Sequence, residues 1–247
     1  MKTPSFIPLH LATNIDGSRR WTASQGLPLD TSYDHCFRAI HTLSDACIER
    51  GVLALTLHVV RHLERTIRGP VKWREAIDDF ARLSIDSLPR WQEHGIRLHL
   101  MGDIDGLPEP SRSMLVRAAQ ETRSNEVLHL SMAINYSSRS DGIQAARRLV
   151  AEGVRPEEIT DEMYEDRLWS GTLPRELRAV QMLVITGGVP ELDDFMQRES
   201  ALANLYFSKS MWPAFSVREF DDLLALHAKQ KRQIRSYETS TVTDDTP

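Results

Sequence analysis

The nine residues Val52–Val60, V-L-A-L-T-L-H-V-V, constrain this chain more than any other stretch. The run is short, nearly continuous in apolar side chains, and follows a helix-patterned segment closed by Gly51, a good helix stop. A strand wetted on one face alternates apolar and polar residues, whereas this one reads as buried on both. Burial of both faces requires helices on each side and therefore parallel strands joined by crossovers. The same unit recurs along the chain. His35–Arg50 carries Phe37, Ile40, Leu43, Ala46 and Cys47 at helical spacing, and Gly95–Asp103, Leu128–Asn135, Gln181–Ile185 and Leu202–Phe207 read as further strands. Helices are predicted through Trp91, from Pro108 to about Ser124, over Ile143–Val150 and over Val217–Arg235. The predicted fold class is α/β, a central mainly parallel sheet covered by helices on both faces. Residues 1–237 are expected to form a single domain, and 238–247, rich in Ser, Thr and Asp, a disordered tail.

Chemistry concentrates near the start. Leu11–Trp21, L-A-T-N-I-D-G-S-R-R-W, reads as a strand that carries Asp16 onto a tight turn opening a helix. Gly17 lets the backbone approach an anion, the N–H groups of Gly17, Ser18 and Arg19 point at it, and Arg20 closes the cage. Asp16, a hard oxygen ligand beside that cage, suits a Mg²⁺ bridging protein and diphosphate. In open parallel sheets ligands sit beyond the carboxyl ends of the strands, where Asp16, Arg61, Asn135 and Thr186 fall.

Composition narrows the alternatives. A formal net charge of -5 argues against nucleic acid as a partner, because affinity for phosphate backbones rests on net basic surface. Cys36 and Cys47 lie on one predicted helix and follow no metal or disulfide spacing, so a reduced, cytoplasmic protein is expected. No stretch resembles a signal peptide, and no apolar run approaches the roughly 20 residues of a membrane span, so stable membrane insertion is not expected. His58, His62, His94 and His99 follow no ligand spacing, and only His62 falls near the predicted pocket.

D-G-S-R-R-W resembles the D-G-N-G-R-W signature of the cis-prenyltransferases, the undecaprenyl diphosphate synthase family. Other stretches agree in order. Gly51–Leu57 is similar to the family's second strand, His94–Asp103 (H-G-I-R-L-H-L-M-G-D) to N-G-V-R-L-R-I-I-G-D, and Ala133–Asp141 (A-I-N-Y-S-S-R-S-D) to A-x-N-Y-G-G-R-x-D. Val184–Gly188 and Asn204–Phe215 resemble I-R-T-G-G-E and E-L-Y-F-T-x-x-L-W-P-D-F. The resemblance runs from Asp16 to about Arg235. It implies prenyl diphosphate chemistry with Mg²⁺, an allylic prenyl diphosphate as substrate, and a homodimer built through the late strands and helices.

By that resemblance the family holds two diphosphates in two pockets. The first is largely kept: Asp16 and Arg20 as catalytic residues, Asp16 as the metal ligand, and Gly17, Ser18, Arg19, Arg20, His35 and Arg68 as diphosphate-binding residues. Arg19 stands where the family has glycine, and either adds a cation to the same anion or lies on the solvated side of the helix. Trp21, His62, Asn135, Tyr136 and Phe207 are the candidate cavity residues, the aromatic ones placed to stabilise a carbocation or simply to pack. The second pocket is dismantled. Ile185 stands for an arginine, Val189 for a glutamate, Glu191 for a second arginine, Asp193 for a serine and Asn204 for the metal-binding glutamate, which removes charge-assisted hydrogen bonds and adds repulsion. Three readings follow: an enzyme that ionises one allylic diphosphate, of ten carbons, to a cyclic or rearranged product; a condensing enzyme, of lavandulyl type or a chain elongator; and an inactive partner subunit.

Overall fold

The computed structural model describes residues 6–61, 66 and 69–241. Six strands form one sheet: β1 (His10–Asn14), β2 (Ala54–Arg61), β3 (Ile96–Met101), β4 (Leu128–Tyr136), β5 (Met182–Ile185) and β6 (Asn204–Phe207). Their order is β3-β4-β2-β1-β5-β6, and every pairing is parallel. Around them lie α1 (Ser18–Ser24), α2 (Ser32–Arg50), α3 (Pro70–Asp86), α4 (Leu88–Glu93), α5 (Ser111–Glu121), α6 (Ser138–Ala151), α7 (Asp161–Glu165) and α8 (Val217–Thr241).

The apolar runs behave as continuous burial demands. All nine residues of β4 are buried, as are the first seven of β2. Period-2 alternation then divides the side chains between two layers. Met182, Leu11, Leu55, Leu130 and Leu98 stand in register across five strands. They face Phe37, Ile40, Trp73, Ile77, Phe80 and Leu115 from α2, α3 and α5 in the larger core. On the opposite face Ala12, Ala133, Leu183 and Ile185 meet Tyr136, Val180, Phe195 and Met196. That face also carries polar side chains, which pair with one another: His10 Nε2 lies 2.8 Å from Thr56 Oγ1, and His99 Nε2 2.9 Å from His129 Nδ1.

Element ends shift for local reasons. The helix expected from Ile143 begins at Ser138, because the Ser137 hydroxyl accepts from Ser140 N at 3.3 Å and caps it. The stretch read as one helix through Trp91 is two, α3 and α4, the second with proline in its first turn. The last helix continues to Thr241, into the stretch read as a tail, and residues 242–247 lie outside the described ones.

Topology places the site. The chain builds β2, β3 and β4 on one side of β1, then crosses to its other flank for β5 and β6. The switch point is therefore the seam between β1 and β5, and a crevice opens beyond their carboxyl ends.

Candidate functional site at the switch point

Asn14 and Thr186, the residues at that seam, stitch the two strand ends together. Thr186 N donates to Asn14 Oδ1 at 2.7 Å, and the Thr186 hydroxyl lies 3.0 Å from the same oxygen. Three residues after Asn14, Gly17 turns the chain at φ +94°, and an added Cβ there would stand 2.8 Å from Met211 Cβ. Trp212 N donates to the Asp16 carbonyl at 2.9 Å, so the turn is held from outside as well. Gly187, φ +91°, makes the facing turn after β5. A Cβ on it would lie 2.7 Å from Asp16 Oδ2 and 3.0 Å from Arg20 Nη2. Only glycine leaves room at that position for what stands there. Arg20 Nη2 donates to Asp16 Oδ2 at 2.8 Å and to the Gly187 carbonyl at 3.1 Å.

The carboxylate and guanidinium open onto a cavity of about 260 Å³. Its polar wall is Asp16, Gly17, Ser18, Arg19 and Arg20; Val59, Val60, Ala76 and Phe80 form an apolar wall. Arg61 and Asp193 also line it, and Arg61 Nη1 donates to Asp193 Oδ1 at 2.8 Å. Burial raises the Asp193 carboxyl above the ordinary range, and Arg61 opposes that rise. His58, also on the wall, is pushed down to about 3 by burial, with Arg61 adding to the effect, so it is neutral near pH 7. Three arginines against two aspartates leave this lining net positive, which favours an anion. Because α1 is only seven residues long, guanidinium groups rather than a helix dipole supply most of that field.

A hard divalent cation fits the donor set. Mg²⁺ keeps several waters and takes one or two carboxylates plus substrate phosphates, rather than an all-protein cage. Asp16 offers a half-exposed carboxylate at the cavity, and among the described residues no group of three or more His, Cys, Asp or Glu side chains is placed to hold a metal.

Of the residues singled out in the sequence, the structure brings together Asp16, Gly17, Ser18, Arg19 and Arg20. Arg19 lines the same cavity and is partly buried rather than on a fully solvated helix face. Others stand elsewhere. Trp21 on α1 and His35 on α2 pack edge to face at 4.9 Å and border a separate groove with Arg38, Pro213 and Phe215. Asn135 turns its amide to the Asp103 carbonyl at 3.1 Å from a left-handed backbone, φ 51°. Tyr136 is buried on the other side of the sheet against Phe195, His58 and Trp169. Phe207 is 51% exposed on β6, the edge strand. His62 and Arg68 lie outside the described residues.

Other lining residues carried no sequence signal for a site. Tyr33 and Cys36 on α2, and Ala76 and Phe80 on α3, read as ordinary core positions of amphipathic helices. Asp193 reads only as a lost serine, although its partner Arg61 stands at the end of β2.

A parallel α/β sheet with a carboxylate, a glycine turn and clustered guanidinium groups at its switch point is an arrangement suited to an anionic ligand. Residues 15–235 match the family model for undecaprenyl diphosphate synthases, and the chain belongs to that family, the cis-prenyltransferases, whose chemistry is on prenyl diphosphates. It is 30% identical to Cis-prenyltransferase 4, chloroplastic, of Solanum lycopersicum, over 93% of this chain and 74% of that protein. It is 26% identical to an isoprenyl transferase of Enterococcus faecalis, over 96% and 89% respectively. In fold it is similar to lavandulyl diphosphate synthase of Lavandula x intermedia, solved in complex with dimethylallyl diphosphate, with TM-score 0.77, 22% identity, and 90% and 95% of the two chains covered. No helix among the described residues is long and apolar enough to cross a membrane.

Proposed function

We propose that this chain ionises one allylic prenyl diphosphate, of ten carbons, with Mg²⁺, and returns a cyclic or rearranged product of the same carbon number. The observation that carries this reading is the difference between the two anion regions at the carboxyl edge of the sheet. The first keeps a carboxylate, a glycine turn and arginines on one cavity. In the second, Ile185 is buried among apolar groups, Glu191 adds negative charge, and Asp193 is bonded to Arg61. Asn204 has turned away, its amide donating to Gln230 Oε1 at 2.9 Å. No arginine or lysine stands at any of these substituted positions to take up a second diphosphate.

Within the first region Arg20 is held by the Gly187 carbonyl and Asp16, so its guanidinium is in place before substrate arrives. Arg19, Arg20 and the Ser18 hydroxyl would bind the diphosphate oxygens, and Asp16 would hold the metal. When bound, Mg²⁺ supplies Lewis acidity to the departing diphosphate. The arginines stabilise the charge that develops there as the carbon–oxygen bond breaks. Val59, Val60, Ala76 and Phe80 give the hydrocarbon a dry wall. Phe80 meets Tyr33 at 5.5 Å and Phe37 at 5.2 Å between ring centroids, closing the apolar end. At about 260 Å³ the cavity falls just below the usual range of ligand pockets, roughly 300–1,000 Å³, which favours a short chain.

Condensation of lavandulyl type is the second reading. It is favoured by the transferase names of the curated relatives and by the dimethylallyl diphosphate in the similar lavandulyl diphosphate synthase. A homodimer is part of both readings, and the edge strand β6, with Leu205 and Phe207 exposed, is the surface we assign to it.

Incubation with Mg²⁺ and dimethylallyl, geranyl or farnesyl diphosphate, each alone and each with isopentenyl diphosphate, separates these readings by product mass. We expect conversion of geranyl diphosphate alone, unchanged by isopentenyl diphosphate. Products longer by five carbons would overturn the one-substrate reading. A ten-carbon product from dimethylallyl diphosphate alone would establish the lavandulyl type, and silence with every substrate would leave the partner subunit.

A further inference from the structure

The pair formed by Arg61 and Asp193 joins segments far apart in the chain, and it stands on the wall of the cavity that holds Asp16 and Arg20. Arg61 ends β2 and lines the cavity together with Val59 and Val60, its side chain one-third exposed. A partly buried guanidinium gains from an anion beside it, and Asp193 supplies one at 2.8 Å. Asp193 reaches in from a segment of unusual backbone: Asp193, Asp194 and Met196 have φ of 57°, 55° and 45°. The next residue anchors that segment. Asp194 Oδ2 accepts from the Ser137 hydroxyl at 2.7 Å, and Ser138 N donates to the Asp194 carbonyl at 2.9 Å. The strained geometry is thus pinned at Asp194 and presents Asp193 to Arg61.

We propose that Arg61 is a diphosphate-binding residue of this chain, and that Asp193 is its built-in counter-anion, displaced when the diphosphate of the substrate enters the cavity. The proposal rests on the reading of this cavity as a diphosphate site. The reason is charge and geometry together. A diphosphate carries several negative charges and many acceptor oxygens. A single carboxylate offers one charge, and guanidinium binds either by the same charge-assisted bonds. Exchange of one anion for another keeps Arg61 satisfied with and without ligand. It also explains why an aspartate and an arginine occur together here. Arg61 adds to the cavity the positive charge that the second region lacks, and Asp193 is a carboxylate bonded to it on the same wall. Affinity is then set by a competition inside the protein, because diphosphate must first break the Arg61–Asp193 bond.

The test is calorimetric titration of inorganic pyrophosphate at fixed Mg²⁺ into the wild type, Arg61→Ala, Asp193→Asn, the double variant and Arg20→Ala. Asp193→Asn keeps the shape and suits a left-handed backbone, so it should fold even where Arg61→Ala leaves a half-buried carboxylate unpaired. We expect Asp193→Asn to tighten pyrophosphate roughly threefold to tenfold, Arg61→Ala to weaken it roughly tenfold, and the double variant to resemble Arg61→Ala. Unchanged or weaker binding by Asp193→Asn, with Arg20→Ala weakened as expected, would make the pair a structural latch only and overturn this inference while leaving the diphosphate site intact. Failure of the wild type to bind pyrophosphate, with Arg20→Ala no different, would overturn both.

Discussion

Two turns reach the carboxyl edge of the same sheet, one after β1 and one after β5, and they share a backbone while differing in charge. Each has a glycine at positive φ, Gly17 and Gly187, and each is tied to its neighbours by main-chain bonds: Trp212 N to the Asp16 carbonyl, and Gly187 N to the Ser210 carbonyl at 2.8 Å. The side chains around them part company. The first turn carries Asp16, Arg19 and Arg20; the second region carries Ile185, Val189, Glu191 and Asp193. The glycines answer to packing, since each closes on a neighbouring atom that a Cβ would strike, whereas the charged groups are the ones we propose answer to a ligand. Two turns of like backbone can therefore carry opposite side-chain chemistry on one sheet edge.

The largest test of that contrast is Asp16→Ala. It should reduce diphosphate release from the allylic substrate by roughly 10²–10³-fold, the scale of losing one positioned electrostatic group. The thermal midpoint should change little, because Asp16 is half exposed. Wild-type release of diphosphate by this variant in the presence of Mg²⁺ would remove the first turn from the chemistry.

Gly187→Ala probes the place where the two turns touch. Its Cβ would press on Asp16 Oδ2 and Arg20 Nη2, and its φ of +91° strains any other residue. We expect a stability loss of about 1–3 kcal/mol in denaturant titration and an activity loss approaching 10²-fold. A stable, fully active variant would show that the Asp16–Arg20 geometry is not needed.

The smallest effect is expected from Glu191→Arg, at an exposed position. Restoring one cation should raise affinity for isopentenyl diphosphate no more than a few-fold, because an exposed ion pair contributes only about 0–1 kcal/mol and Ile185 remains apolar. Appearance of elongated products from this single change would mean that the second region is closer to a working pocket than its side chains indicate.

Much of the architecture was legible in advance, and for identifiable reasons. Val52–Val60 and Leu128–Asn135 read as buried strands because continuous apolar runs have few other uses in a chain of this size, and their bounds shift by only a residue or two. The D-G-S-R-R-W turn was legible because a carboxylate, a glycine and arginines within a few residues bring their own geometry. Phe207 was harder to place, since only the strand order makes β6 an edge. Trp21, expected in the cavity, and His35, expected at the diphosphate by the family resemblance, instead border a separate groove, because the packing of α1 on α2 is not written in either local motif.

By itself, the sequence determined the parallel α/β layering, the first turn and the substitutions in the second region, because burial periodicity and local motifs act over a few residues. Only the tertiary structure decided that Arg61 meets Asp193 across a sequence separation of 132, that Phe80 and Tyr33 close the apolar end, and that Gly187 must be bare for Asp16 and Arg20 to pair. Each of those depends on distances between segments that share no local pattern, and such distances exist only once the sheet order has brought β1, β2 and β5 together.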